Sequence, residues 1–258
     1  MPRALSALIF LSALVHAADQ KDALAPTGTL RVTFLGGNPV QGRVDAATGA
    51  VTGPVADLTQ ELAKRLSVPF KVFPSAGVRE VLDAVKMHSA DIGFLAFDAT
   101  RAAEVDFSQP YSLAYNSYIV SADSPIRTGA EIDHAGVRVA APRGDSGDLY
   151  LSRTLKQAEL KSIAGLNPDG AFKMLGAHEI DAYATNRARL TEMAARFPGL
   201  RVLPENFFAV EQSMVVAKGN TAGVEYLNRF IDGVRDSGFL KSVLVRANLS
   251  GVEIAPPK

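Results

Sequence analysis

Two stretches of the chain share one layout. VREVLDAVKMHSADIGFLAFD occupies residues 78–98 and PDGAFKMLGAHEIDAYATN occupies residues 168–186. Each reads as an amphipathic helix, a short turn, an aspartate, and a short apolar strand. Each strand ends on a polar residue, Asp98 in one and Asn186 in the other. The distance between them excludes a tandem repeat of short period. It fits two lobes built on the same α/β plan. In open α/β sheets ligands bind beyond the carboxyl ends of the strands. Asp98, Arg101 and Asn186 therefore fall where a ligand between two lobes would sit.

The remaining segments complete that plan. Leu30, Val32 and Phe34 alternate in TLRVTFLG, which predicts a strand. A turn-rich stretch follows, and Pro54 then opens a helix whose Val55, Leu58, Leu62 and Leu66 share one face. FKVF at 70–73 reads as a second strand. SYIVSAD (117–123) and VRVAAPRG (137–144) read as strands of the second lobe, with a helix over DSGDLYLSRTLKQ after them. SMVVAKG (213–219) is a further strand. In GVEYLNRFIDGVRDSGFLKSVL, residues Val224, Leu227, Phe230, Ile231 and Val234 lie on one helical face, which suits a return to the first lobe. VEIAPPK reads as a loose end.

The N-terminus is of another kind. MPRALSALIFLSALVHA has a basic Arg3, an apolar run and a small-residue end at Val15-His16-Ala17, the layout of a secretory signal peptide. The apolar run falls short of the roughly 20 residues a spanning helix needs. The expected division is a signal over 1–17, a first lobe over 28–113, a second over 114–214, first-lobe helices over 215–250 and a tail over 251–258. Lys+Arg and Asp+Glu both number 27 in the 258 residues, so nothing points to a nucleic-acid partner. With no cysteine there is no disulfide framework and no thiolate metal site.

Several catalytic and cofactor patterns fail. GDSG at 144–147 has Asp148 after it rather than glycine, and it lacks the companion histidine signature of a chymotrypsin-like protease. The same segment ends a strand at Pro142-Arg143-Gly144 and starts a helix near Ser146. It reads equally as a plain N-cap by Asp145 or Ser146 and as an anion site of free N–H groups and a hydroxyl. His88, His134 and His178 are isolated, and no phosphate-binding glycine motif occurs, so no cofactor or metal is expected. Asp98 reads first as an N-cap for a short helix. Arg101 reads either as a surface partner of Glu104 or as a guanidinium that grips a carboxylate with two parallel bonds, and composition alone favours the ion pair.

TRAAEVDFSQPY, residues 100–111, closely resembles the T-x-x-R-x-x-x-V-D-F-S-x-P-Y signature of bacterial extracellular solute-binding proteins, family 3. The resemblance extends from GTLRV through GPVADLTQELAKRL, the Asp91 strand, GVRVAAPRGDSGD and the Asp181 strand to the C-terminal helices. It implies a two-lobed α/β periplasmic binding protein of type 2, with a hinge and an interlobe cleft. It also implies a periplasmic location, a monomer, a small carboxylate ligand and delivery to an inner-membrane ABC permease. Arg101 matches the arginine that pairs with the ligand's α-carboxylate, and Gly144-Asp145-Ser146 matches a G-T-T donor segment.

The sequence departs from the family pattern in several places. LAFDATR, with Phe97 and Asp98, is shorter than the usual G-x-T-x-T-x-x-R, and Asp98 falls near the threonine. DAYATN ends in Asn186 where the family places an ammonium-binding aspartate, and Arg187 adds positive charge. Val40 and Val78 stand near the usual aromatic positions. Two ligand classes stay open: an amino acid whose ammonium meets Asp98 or Glu211, or an organic acid held by Arg101 and Arg187. The expected set is thus Arg101, Asp98, Phe97, Gly144, Ser146, Asn186, Arg187 and Glu211. Two rival roles are a dehydratase-like periplasmic enzyme using Glu211, Asp98 or Asp148, and a ligand-sensing partner of a membrane receptor.

Overall fold

A computed structural model describes residues 21–258; the expected leader over residues 1–17 lies outside them. The repeated layout seen in the sequence becomes a repeated arrangement of strands. In the first half β1 (Leu30–Leu35) is paired in parallel with β4 (Phe70–Ser75) and β5 (Ile92–Ala96). Between them come the small hairpin of β2 (Arg43–Val44) and β3 (Val51–Thr52), then α1 (Pro54–Leu66) and α2 (Val78–Lys86). In the second half β8 (Arg138–Pro142) is paired in parallel with β9 (Glu159–Ile163) and β10 (Ala182–Asn186). Helices α4 (Ser146–Thr154), α5 (Pro168–Gly176) and α6 (Arg187–Arg196) belong to this half; the short α3 (Ala99–Ala102) follows β5.

Two long antiparallel strands join the halves. β7 (Ser112–Ser121) and β12 (Phe208–Ala217) pair with each other, β12 also with β5, and β7 also with β10. The main path of the sheet runs β4-β1-β5-β12-β7-β10-β8-β9 and reads the same way inward from either end. β6 (Val105–Phe107) adds to β12, and β11 (Leu200–Val202) adds to β7.

Periodicity explains the cores. α1 starts on Pro54, which needs no N–H in the first turn, and ends on Ser67 in the left-handed region at φ 54. It buries Val55, Leu58 and Leu62 against Leu30, Val32 and Phe34. α2 buries Val81, Leu82 and Val85 beside Leu95 and Val215. In the second half Leu151, Val139, Ala182 and Tyr118 form one cluster, and Ala171, Leu175, Tyr183 and Leu190 another. A smaller cluster of Val40, Ala96, Ala114, Ala188 and Val210 lies where the halves meet.

The repeated turn has a repeated lock. His88 and His178 both take positive φ, 55° and 54°, at the end of α2 and α5. Three residues later Asp91 accepts from the Arg31 backbone N–H at 2.8 Å and from its Nε at 3.0 Å. Asp181 accepts from the same two groups of Arg138 at 2.8 and 3.0 Å. The shared aspartate ties each half's first strand to its third.

The C-terminal region forms α7 (Thr221–Asp236) and α8 (Phe239–Ala247), with Gly238 at φ 74 between them. The expected apolar face from Val224 to Val234 lies wholly on α7. Leu227, Phe230, Ile231 and Leu240 pack into the first-half core. The end of the chain is not loose: Val252–Ile254 forms β13, antiparallel to Ser112–Ala114, and Ala255 is fully buried. Three residues are too few to show a period in sequence, and the strand exists because β7 offers it an edge.

Candidate functional site

The interlobe cleft is built from the ends of the repeated strands. β5 ends at Ala96, and Asp98 then caps α3 by accepting from the Thr100 backbone N–H at 2.9 Å. That cap fixes the first turn of α3 and with it Arg101. The guanidinium is buried, with the residue only 4% exposed. Its Nη1 donates to Ala96 O at 2.7 Å, and its Nη2 crosses to Gly144 O in the other half, also at 2.7 Å. Among the described residues no carboxylate lies within ion-pair distance of it. The alternative surface pair with Glu104 is not formed, because Glu104 meets Arg79 and Lys86 at 3.1 and 2.5 Å. Burial depresses the Arg101 pKa, against the opposing charges of Asp145 and Asp98.

Arg101 faces a narrow cavity of about 30 Å³ between the halves. Amides dominate its polar lining: Asn38 and Gln41 from the first half, Asn116 and Gln212 from the crossing strands, Asn186 from the second half. Ser146, Thr185 and Asp145 complete the polar set, and Leu35, Val40, Val78, Ala96 and Val210 supply the apolar wall. No aromatic side chain lines it among the described residues; Val40 and Val78 are part of its wall. Asn116 is 1% exposed and its buried Nδ2 has no hydrogen-bond partner. A buried donor without a partner is costly, and a ligand acceptor would satisfy it.

Asp145 is the carboxylate of this cavity, and sequence reasoning did not select it as a ligand contact. It occupies the N-cap position of α4, yet its side chain makes no capping bond. It turns instead toward two guanidiniums, with Oδ2 3.5 Å from Arg189 Nη1 and Arg101 nearby. Burial pushes its carboxyl above the ordinary value, and the pull of Arg189 and Arg101 does not cancel that push. About 29% of the side chain is still exposed, so the carboxylate sits at the cleft's edge rather than in a sealed core.

The structure brings Arg101, Ser146 and Asn186 to this cavity and places Gly144 beside it. Asn186 does two jobs: its Oδ1 accepts from the Arg189 backbone N–H at 2.9 Å, and its Nδ2 donates to Asn38 Oδ1 across the cleft at 3.2 Å. The others lie elsewhere. Asp98 is buried at the rim. Burial acts to raise its carboxyl, but bonds from the Thr100 hydroxyl and N–H and the charges of Arg101 and Arg153 outweigh that and hold it low. Phe97 is 43% exposed and packs edge-on against Phe107 at 5.2 Å. Arg187 is committed to the loop after β11, donating to Leu203 O at 2.8 Å and Pro204 O at 2.9 Å. Glu211 faces Lys258 at 2.7 Å, while its neighbours Val210 and Gln212 line the cavity. Strand alternation explains this: adjacent residues of β12 point to opposite faces.

The acids considered for catalysis therefore do not converge. Asp98 is tied to Thr100, Glu211 lies on the far face, and Asp148 accepts from the Gly144 N–H at 2.8 Å and the Ser162 hydroxyl at 3.0 Å. Among the described residues no cluster of His, Asp and Glu has the makings of a metal site. No helix among them is long and apolar enough to cross a membrane.

Two similar α/β halves, joined by two crossing strands and meeting over a polar cavity with a buried arginine, define a solute-trapping fold of the type 2 periplasmic binding class. Residues 30–246 match the family of bacterial extracellular solute-binding proteins, family 3, and the chain belongs to it. It is 29% identical over 165 residues to a glutamine-binding protein of Geobacillus stearothermophilus, an alignment that spans 62% of this chain and 62% of that protein. Among solved structures it resembles the amino acid ABC transporter substrate-binding protein AbpA of Streptococcus pneumoniae bound to L-arginine. That likeness has a TM-score of 0.74 at 20% identity and covers 88% of this chain and 97% of the other. An ancestral amino acid-binding protein, a precursor of cyclohexadienyl dehydratase, also has a TM-score of 0.74, at 22% identity, covering 87% and 97% of the two chains. At these identities the structural likenesses establish the fold.

Proposed function

We propose that this protein traps a small carboxylate solute, an amino acid or a related organic acid, between its halves in the periplasm and hands it to the permease of an ABC importer. Residues 28–113 with 215–250 act as one lobe and residues 114–214 as the other, in a monomer. The observation that carries the reading is Arg101: a buried guanidinium, aimed at the cleft by a capped helix, whose partners are main-chain carbonyls alone. Such a group offers a carboxylate two parallel charge-assisted bonds. The unpartnered Asn116 Nδ2 offers another donor beside it. Asn186 presents an amide where the family resemblance places a carboxylate, so Asp145 takes the ammonium if the solute has one. The glutamine-binding relative and the arginine-bound neighbour support amino acids as the first candidates.

The test is thermal unfolding of the purified protein against a panel of amino acids and amine-free carboxylic acids of matching size. A ligand at a hundredfold excess over Kd stabilises the folded form by about 2.7 kcal/mol, which is readily seen as a rise in Tm. A rise with at least one carboxylate, absent for its methyl ester, supports the reading. Equal responses to acid and ester remove the role given to Arg101.

A further inference from the structure

The cleft continues beyond Asp145. A second cavity of about 240 Å³ adjoins the first, and Leu35, Val78 and Asp145 line both. Gly37 and Gly77 reach it from the first half, and Arg143, Leu166 and Arg189 from the second. The arginines give it its character. The Arg189 side chain is only 14% exposed, its Nη2 donates to Gly37 O at 2.6 Å, and its buried Nε has no partner. Arg143 is exposed and donates to Ser162 O at 2.9 Å.

The internal repeat explains why Arg189 is there. Arg101 stands three residues after the cap Asp98, and Arg189 stands three residues after the cap Asn186. Each guanidinium crosses the cleft to a glycine carbonyl two residues past the other half's leading strand. Arg101 reaches Gly144 beyond Pro142, and Arg189 reaches Gly37 beyond Leu35. Arg189 is thus the second half's counterpart of Arg101. Three guanidiniums and one carboxylate, Asp145, line the joined cavities; even with Asp98 acting on Arg101 from outside the lining, positive charge is in excess there.

We propose that the solute carries a second carboxylate at the far end of a short carbon chain, held by Arg189 and Arg143 in the second cavity while the first carboxylate lies on Arg101. Leu35, Val78 and Leu166 supply apolar surface for the methylenes between them. The proposal rests on the binding function above and adds the solute's second charge to it.

The experiment is calorimetric titration of the purified protein with matched pairs. Each pair is a straight-chain monocarboxylate and the dicarboxylate of the same carbon number, run both without and with a 2-amino group (norvaline against glutamate, norleucine against 2-aminoadipate). The dicarboxylate member is expected to bind roughly tenfold tighter or more. Arg143→Gln should reduce that preference and Arg189→Gln with Arg143→Gln should abolish it, read as the ratio of dicarboxylate to monocarboxylate Kd within each variant because Arg189 also bonds Gly37 O across the cleft, and Arg189→Lys should keep part of it. Equal or tighter binding of the monocarboxylates overturns the second-charge proposal and leaves the binding function standing. If no member of any pair binds, the second-charge proposal falls, and the binding function is decided separately by the wider thermal panel. Unchanged Tm of the ligand-free variants guards against a folding defect.

Discussion

The two aspartate locks offer a sharp test of the repeated architecture, because they share a geometry and differ in burial. Asp91 has a side chain 4% exposed and accepts from the backbone N–H, Nε and Nη2 of Arg31. Asp181 makes the same contacts to Arg138 with a side chain 32% exposed. Replacing Asp91 with Asn keeps one acceptor for the backbone N–H and Nε. It turns an amide NH₂ toward Nη2 and removes the charge. A lost hydrogen bond to a charged group costs about 1.5–3 kcal/mol. The Arg31 guanidinium, partly open to water, also loses a counter-ion that is itself buried, so Asp91→Asn should cost about 2 kcal/mol or somewhat more. At Asp181 water reaches both partners and screens the pair, so Asp181→Asn should cost clearly less. Urea denaturation followed by circular dichroism at neutral pH reads both, as a fall in the midpoint at unchanged slope. Equal losses, or a larger loss at Asp181, would refute the reasoning that burial sets the strength of these locks.

Other consequences follow from the same geometry. A Cβ at Gly93 would lie 2.9 Å from Val215 Cγ2 and 2.9 Å from Val81 Cγ1. Both are stiff β-branched core residues, so Gly93→Ala should destabilise by about 1–3 kcal/mol in the same denaturation assay. Burial raises the Asp145 carboxyl, so the folded state favours the protonated acid and loses stability as pH rises from the ordinary carboxylate value through the raised one. Asp145→Asn should therefore raise Tm near pH 7, with the gain vanishing below about pH 4, in melts across that range. A lower Tm near neutrality would contradict this. Glu211→Gln and Arg187→Gln should leave the solute Kd unchanged, because one side chain faces away from the cleft and the other is bound to the loop after β11. Arg187→Gln should lower Tm, since it strips donors from the Leu203 and Pro204 carbonyls.

Much of the architecture was legible because it is repeated and periodic. The helix, aspartate and strand at 78–98 and 168–186 announced two similar halves, and the apolar faces of α1 and α7 carried their own spacing. Arg101 stood out through the string around it. What stayed hidden depends on contacts distant in sequence. β13 forms because residues 112–114 offer it an edge, and the face of Glu211 is set by the register of β12. Asp145 read as a helix cap or as one residue of a donor segment for an anion, and its carboxylate is set in the cleft by the opposing placement of Arg101 and Arg189. The sequence did hold one unused signal for Arg189. It follows Asn186 by the interval at which Arg101 follows Asp98, and extending the repeat comparison three residues past the strand would have found it.

The central claim is that Arg101 holds a carboxylate. The most direct measurement is calorimetric titration of Arg101→Met and Arg101→Lys against the solute that gives the largest thermal shift, beside its methyl ester. Losing one partner of a buried, hydrogen-bonded charge pair costs about 2–5 kcal/mol, so the Met variant should weaken binding of the acid roughly 30-fold or more, with the Lys variant between. The ester should bind all three proteins equally weakly. An acid affinity unchanged in Arg101→Met, in a variant that still melts cooperatively, would contradict the account.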